Sequence, residues 1–373
     1  MRRILLVFGS LERGGAQLRT LEVCRALHQR YPVQFDVCNL SRHPGNFSEE
    51  IEEIGSTIYH IPIRSRGFLW EFSRLFYEQQ YDVVDSLPNL FSGVILTLAK
   101  MHKVPVRIAN WRNSPEKYGG LTSNSLFIWL MRTLIRRTAT HVAAVSRSAL
   151  DDSFPPSWQS SVDCRVIYNG LTSSSFQVAV DRRGLPEEFG WPFDSRIVIN
   201  VARFTQQKNH RTIVETTRLV HENFGNIRLL LVGDGELYNE ITGLINLYGL
   251  QDICVMPGVR KDIPRLLLAS DVFFFPSLWE GLPGALLESL AAGLPVVASD
   301  IPPIKEIAEY FPFSISMAPP YDAEKHAKHI LTALDISADR ASLQANFART
   351  PFVLENAIKA YSTLYGLTDV ADE

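Results

Sequence analysis

The chain has 373 residues, 46% of them apolar, with a formal net charge of -3 at pH 7. This length supports two buried cores of ordinary domain size rather than one overgrown core. The near-neutral, mixed charge excludes the strongly basic surface that phosphate contacts impose on a nucleic-acid binder. Cys24, Cys38, Cys164 and Cys254 are scattered without CxxC pairs or zinc-ligand spacing and read as reduced, buried thiols.

In chain order, Met1 to Arg3 lead straight into Ile4-Leu5-Leu6-Val7-Phe8. That run is too short for a signal-peptide core, and no apolar stretch reaches the roughly 18 residues needed to cross a bilayer. A cytoplasmic protein is the expectation. Further strands are expected at Val33 to Asn39, Thr57 to Ile61, Val83 to Asp85, Val106 to Ala109 and His141 to Val145. Helical stretches separate most of them, as at Ala16 to Gln29, where Leu18, Leu21, Cys24 and Leu27 share a face. Short β-branched runs alternating with amphipathic helices specify a parallel sheet covered on both faces.

The rhythm stops after Tyr168-Asn169-Gly170, and residues 171–194 carry serines, a Gly-Leu-Pro and a Trp-Pro with little periodicity. It restarts with strands at Arg196 to Val201, Ile227 to Val232, Ile253 to Met256, Val272 to Phe275 and Val296 to Ala298. Beyond Asp322 the pattern is helical. The predicted organisation is an α/β protein of two Rossmann-like domains: 1–178, a linker at 179–194, 195–350, and a final helix within 351–373 that returns to pack on the first domain.

Candidate chemistry lies in turns that follow strands. The first, Gly9-Ser10-Leu11-Glu12-Arg13-Gly14-Gly15-Ala16, lets backbone approach an anion at a helix start, or is an ordinary tight turn. It lacks G-x-G-x-x-G, and it lacks the Lys-Ser/Thr of a Walker loop. After the first strand of the second domain, Arg203 and Lys208 are two cations at the carboxyl edge of a sheet, where they can neutralise a diphosphate; the alternative is a solvated loop. Gly233-Asp234-Gly235 follows the next strand in the same way.

The most specific stretch runs from Phe273 to Ala298. A buried strand ends in a loop with Glu280, and Gly281-Leu282-Pro283-Gly284 opens a helix whose first N–H groups have no internal partners. Glu288 stands in an otherwise apolar helix, an unfavourable choice for a carboxylate without a partner or ligand.

Taken in order, Gly14-Gly15-Ala16, Asn169-Gly170, Arg203 with Lys208-Asn209, Gly233-Asp234-Gly235, and Glu280 with Glu288 resemble glycosyltransferase family 4 over nearly the whole chain. The Ala-Ala-Gly-Leu-Pro-Val-Val-Ala-Ser tail of the last motif is highly specific. The resemblance implies a GT-B fold, with two Rossmann-like domains facing each other across a donor/acceptor cleft, and retention of anomeric configuration. It implies that Arg203 and Lys208 contact the donor diphosphate, that Glu288 bonds the ribose hydroxyls, and that Glu280 with the backbone of Gly281 to Gly284 holds the transferred sugar. Gly15 would approach from the other domain, and Val259 and Arg260 would lie near the base. The donor would be a UDP- or GDP-linked sugar, with no cofactor and no active-site metal.

One position departs from the family pattern. Many members have a histidine after the strand Val106 to Ala109, where this chain reads Asn110-Trp111-Arg112-Asn113. Other members have an Arg-Asn pair there, so Asn110, Arg112 and Asn113 are acceptor-side candidates, against simple loop packing. The expected function is transfer of a sugar to a glycan or lipid-linked acceptor in cell-surface polysaccharide or glycoconjugate synthesis. The alternatives are a nucleotide-sugar epimerase of similar fold and a non-catalytic sugar-nucleotide-binding protein.

Residues 1–180 hold 20 Lys/Arg against 15 Asp/Glu, so the acceptor-side half is the basic one. Within it, Leu126 to Arg137 form an apolar, basic helix, either core-facing with snorkelling arginines or in peripheral contact with an anionic inner membrane face.

Overall fold

The computed structural model describes residues 1–12, 14–112, 125–335 and 339–367. Two compact units divide the chain. Met1–Gly170 joins the C-terminal segment that begins at Leu354, and Leu171–Val353 forms the other.

Unit 1 is built on seven strands: β1 (Arg2–Phe8), β2 (Val33–Asn39), β3 (Thr57–His60), β4 (Val83–Ser86), β5 (Val106–Trp111), β6 (His141–Ala144) and β7 (Asp163–Val166). They pair in parallel in the order β3-β2-β1-β4-β5-β6-β7. Ile4, Leu5, Leu6 and Val7 are all buried, because β1 sits mid-sheet with both faces covered. The chain winds outward through β2 and β3, then restarts on the other side at β4, so the topological switch point lies between β1 and β4. The covering helices are α1 (Gly15–Arg30), α2 (Ser48–Glu52), α3 (Phe68–Gln79), α4 (Ser92–Met101), α5 (Ser125–Thr138), α6 (Arg147–Ser153) and α7 (Pro156–Gln159).

Unit 2 repeats the plan with β8 (Arg196–Val201), β9 (Ile227–Val232), β10 (Cys254–Gly258), β11 (Val272–Phe275), β12 (Val296–Ser299) and β13 (Ile315–Ala318). The order is β10-β9-β8-β11-β12-β13, again parallel, with the switch point between β8 and β11. Its helices are α8 (Gly184–Phe189), α9 (His210–Phe224), α10 (Tyr238–Leu247), α11 (Ile263–Ala269), α12 (Gly284–Ala291), α13 (Pro302–Ala308), α14 (Ala323–Asp335) and α15 (Arg340–Phe347). Val198, Leu229, Leu231, Phe274 and Val297 from the strands meet Ile213, Val214, Ile241 and Ile330 from the helices in one core.

The last helix, α16 (Leu354–Tyr365), belongs to unit 1. Its Tyr361 and Tyr365 enter the unit 1 core, with Tyr365 edge-on to Phe35 at 6.3 Å between ring centroids. Arg30 on α1 pairs with Glu355 on α16 at 2.5 Å.

Several details differ from the sequence reading. The unit boundary falls at Gly170–Leu171 rather than after 178, and 179–194 lies inside unit 2, where it contains α8. Buried Leu185 and Trp191 anchor that segment, which a count of its polar residues hides. Strands β7 and β13 went unassigned because both are short edge strands: Asp163-Cys164-Arg165-Val166 carries two charges, and Ile315-Ser316-Met317-Ala318 has a single β-branched residue. None of the cysteines is bonded; Cys24, Cys38 and Cys254 are buried and Cys164 half-buried. Among the described residues, no helix is long and apolar enough to cross a membrane.

Candidate functional site

In unit 2 the ladder between β8 and β11 runs only through Val198–Val272 and Ile199–Phe273. Past it, the Asn200 side chain donates to the Phe274 carbonyl at 2.8 Å, and the two chains turn off into separate loops. In an open parallel sheet this is the place where a ligand crevice forms.

The loops that leave it are fastened to each other. A 3-10 turn, Gln206–Lys208, ends at Asn209 in the left-handed conformation (φ 55°), which redirects the chain into α9. Leu278 N donates to Gln207 O at 2.8 Å, Gln207 Nε2 to Trp279 O at 2.7 Å, and Asn209 Nδ2 to Pro276 O at 3.1 Å. This lacing sets Lys208 Nζ 2.5 Å from Glu280 Oε1, with side chains 18% and 7% exposed. The ammonium also lies 4.9 Å from the centroid of the Phe275 ring. A shielded ion pair of this kind is costly to desolvate and contributes little net stability. It holds a cation and a carboxylate in fixed positions beside the switch point of the sheet.

Gly233-Asp234-Gly235 closes the crevice from the β9 side. A Cβ on Gly233 (φ 143°) would lie 1.9 Å from the Ala202 carbonyl oxygen, and one on Gly235 would lie 2.5 Å from that of Phe204. Phe204 N donates to Asp234 O at 2.9 Å, and Leu237 N to Phe204 O at 3.1 Å. Only glycines allow the β8 and β9 turns to lie this close. Arg203, on the same turn, is exposed and is five residues ahead of Lys208.

On the β11 side, Gly281, Leu282 and Pro283 are buried, Pro283 caps α12, and Gly284 begins it with open space where a side chain would stand. Glu288 is half-buried in the second turn. Arg203, Lys208, Gly233 to Gly235, Glu280, Gly281 to Gly284 and Glu288 thus all follow strands β8, β9 and β11 at one edge.

Val259 and Arg260 are further out. They follow β10, two strands from β8 or roughly 10 Å across the sheet. Val259 is 75% exposed. Arg260 is held by Asp262 (2.8 Å from Nε and from Nη2) and Glu188 (2.7 Å), which raises its pKa. Its guanidinium is already committed to carboxylates.

In unit 1, Gly14 caps α1 in extended conformation without a side-chain hydrogen bond, and no acidic residue occupies the first turn. A side chain on Gly15 would meet nothing within 4 Å. The acceptor-side candidates turn inward instead. Asn110 is 2% exposed and donates to Asp85 Oδ2 and Tyr361 Oη, each at 3.1 Å. Arg112 is 7% exposed, donates to Asn169 Oδ1 and Thr20 Oγ1 at 2.6 Å each, and lies 5.9 Å from the Tyr361 ring. Tyr365 Oη donates to Asp85 Oδ2 at 2.7 Å, yet burial still raises the Asp85 pKa. Asn113 lies outside the described residues.

The sequence reading missed this network because its partners, Asp85, Thr20 and Tyr361, come from three distant segments. It also missed Asn200 and Phe275, which read as ordinary strand residues. Among the described residues, no three His, Cys, Asp or Glu side chains are grouped to hold a metal ion.

Two family models match the chain: "Glycosyl transferase 4-like domain" over residues 14–170 and "Glycosyl transferases group 1" over 181–349. The chain is 27% identical to a capsular polysaccharide biosynthesis glycosyltransferase, CapH, of Staphylococcus aureus over 83% of this chain and 85% of that one. Over 36% of each chain it is 37% identical to an Escherichia coli UDP-Gal:alpha-D-GlcNAc-diphosphoundecaprenol alpha-1,3-galactosyltransferase. Among solved structures, Anabaena HepE in complex with UDP superposes with a TM-score of 0.82 at 17% identity, covering 98% of this chain and 100% of that one.

Proposed function

We propose, for a chain that belongs to the family 4 glycosyltransferases and has their two-domain GT-B fold, transfer of a sugar from a UDP-sugar to a hydroxyl of a lipid-linked glycan in polysaccharide synthesis, with retention at the anomeric carbon. The observation that carries the reading is the Lys208–Glu280 pair at the switch point of unit 2. Lys208, with Arg203 from the same loop, offsets the charge that builds on the departing diphosphate; such preorganised groups act most strongly where water is excluded. Glu280 accepts hydroxyls of the sugar, Glu288 accepts those of the ribose, and the Gly281–Gly284 backbone donates to the sugar-diphosphate. In a retaining transfer the acceptor hydroxyl attacks from the leaving-group face, and the departing phosphate takes its proton.

UDP is the preferred nucleotide because HepE is described with UDP and with UDP-glucose. A lipid-diphosphate acceptor is preferred because the E. coli relative is named for one.

A membrane setting has its own support in the helical layer formed by α3, α4 and α5. Their outward residues are Trp70, Arg74 and Tyr77 on α3, Met101 on α4, and Leu126, Trp129, Leu130, Arg136 and Arg137 on α5, all exposed. Met131 and Ile135, on the opposite face of α5, are buried. Aromatic and aliphatic side chains among arginines suit the interface of an anionic bilayer.

The test is thermal unfolding with UDP, GDP and dTDP, followed by product analysis by NMR. UDP at a hundred times its dissociation constant is expected to stabilise the protein by about 2.7 kcal/mol. No stabilisation by any nucleoside diphosphate, or an inverted anomeric linkage in the product, overturns the reading. Sedimentation with anionic vesicles at low salt tests the membrane contact separately.

A further inference from the structure

Two arginines at the carboxyl edge of the unit 1 sheet belong neither to the donor site nor to the buried network around Asp85. Leu40 and Arg42, just past β2, together with Pro62, Ile63 and Arg64, just past β3, line a cavity of about 260 Å³. No carboxylate lines it.

The loops that carry these residues are shaped before any ligand arrives. Asn39 is fully buried, donates from Nδ2 to His43 O at 2.9 Å and Pro44 O at 3.3 Å, and accepts from Ser41 N at 3.0 Å. One side chain therefore holds the turn on which Arg42 stands. Ile63 N donates to Leu40 O at 3.1 Å, joining that turn to the β3 loop, and Ser65 N closes the Pro62 turn, which carries Arg64, at 2.9 Å, so that both arginines border one pocket. Both guanidinium groups are exposed, and neither makes an ion pair among the described residues. Elsewhere in the unit, Arg25, Arg30 and Arg74 are taken up by Glu53, Glu355 and Glu78, while exposed Arg66 and Arg137 also have no carboxylate partner among the described residues.

We propose that this cavity is the subsite for the acceptor's phosphate: Arg42 and Arg64 clamp the phosphate or diphosphate through which the glycan is joined to its carrier. The inference rests on the lipid-linked acceptor reading above and gives it an address. Guanidinium forks match phosphate oxygens in pairs, and Leu40, Pro62 and Ile63 complete the lining around them. Position agrees with this role. The β2–β3 edge is roughly 10 Å or less from the end of β1, beyond which Gly15 lies open, given a strand spacing of about 4.8 Å. A phosphate held there lets the sugar attached to it reach toward the end of β1. Beyond the cavity, α3 begins with exposed Leu69 and Trp70, an apolar surface for a hydrocarbon carrier.

The experiment is calorimetric titration of the full-length protein, saturated with UDP, with inorganic pyrophosphate and with geranyl diphosphate. The subsite predicts that both bind, and that Arg42→Gln combined with Arg64→Gln weakens both at least tenfold while leaving UDP affinity and melting temperature unchanged. Tighter binding of geranyl diphosphate than of pyrophosphate identifies a lipid carrier; equal binding keeps the phosphate subsite and removes the hydrocarbon part. Unchanged pyrophosphate affinity in the double variant overturns the proposal. So does a loss produced by Lys208→Met instead, which would place pyrophosphate in the donor site. A separate titration with UDP alone judges the donor reading by itself, so the two failures are distinguishable.

Discussion

The two units share one architecture and differ in how polar residues at the carboxyl ends of their central strands are used. In unit 2 the polar residues past the strands gather at the switch point and engage each other across adjacent loops, as Lys208 and Glu280 do at 2.5 Å. In unit 1 the residues at the end of β5 turn inward: Asn110 and Arg112 bond Asp85, Tyr361, Thr20 and Asn169, and so fix α1 and α16 to the sheet. The difference shows that a polar residue after a Rossmann strand can serve a ligand or the scaffold. What decides is whether a helix covers it, and in unit 1 the covering helix comes from the end of the chain.

The comparison breaks first on turnover. If unit 2 presents its cations to a leaving diphosphate, Lys208→Met and Arg203→Ala should each lower kcat on the order of a hundredfold or more while circular dichroism stays native. Near-normal turnover in both would remove the leaving-group role and leave the unit 2 edge as scaffold too. Next in size is the glycine turn. Gly233→Ala puts a methyl group 1.9 Å from the Ala202 oxygen in a conformation that L residues avoid. It should cost about 3 kcal/mol in urea unfolding, through strain and the forced shift of the β8 turn.

Arg112 sharpens the same contrast from unit 1. Arg112→Met deletes two hydrogen bonds from a buried guanidinium and should cost about 2 kcal/mol of stability. With the scaffold role, kcat measured well below the melting temperature stays near wild type. Full stability with lost turnover would instead return Arg112 to the acceptor site.

How much of this was legible in the sequence follows the same division. The unit 2 site is local: Arg203 to Asn209, Gly233 to Gly235 and Glu280 to Glu288 each lie within one βα turn, so spacing along the chain predicts proximity in the fold. The two-sheet architecture was legible for a similar reason, since Ile4–Phe8 is a continuous apolar run and Ile227–Val232 is interrupted only by Arg228. The network of Asn110 and Arg112 was not, because Asn110 and Tyr361 are 251 residues apart and nothing near Asn110 announces its partner. The edge strands β7 and β13 escaped for want of apolar pattern, and α8 was hidden in a segment whose buried anchors, Leu185 and Trp191, are few.

The smallest expected effect distinguishes the units by their response to acid. Unit 2 buries His210 at 1% exposure, stacked on Phe204 at 4.1 Å, and neither ring nitrogen has a partner among the described residues. Burial first, and the nearby Lys208 charge second, push its pKa down to about 3. Unfolded, the same histidine titrates near 6.5, so below that pH the unfolded chain binds the extra proton. The stabilising contribution is therefore complete above about pH 6.5 and is lost as the pH falls toward 3, by about 1.4 kcal/mol at pH 5.5. In unit 1 burial raises the pKa of the carboxyl of Asp85; its contribution has the opposite sign, present at low pH and lost as the pH rises through the folded value. His141 in unit 1 is also lowered by burial, but it is half-buried and lies 3.5 Å from Asp163, which opposes the shift. Acidification from pH 7.5 to 5.5 should thus loosen unit 2 more than unit 1 in amide exchange. His210→Phe, which keeps the stack and removes the proton site, should reduce the loss of unfolding free energy over that interval by about 1.4 kcal/mol. An identical pH dependence in wild type and variant would mean that His210 has the same pKa in the folded and unfolded states, and the acid response would then have to come from another group.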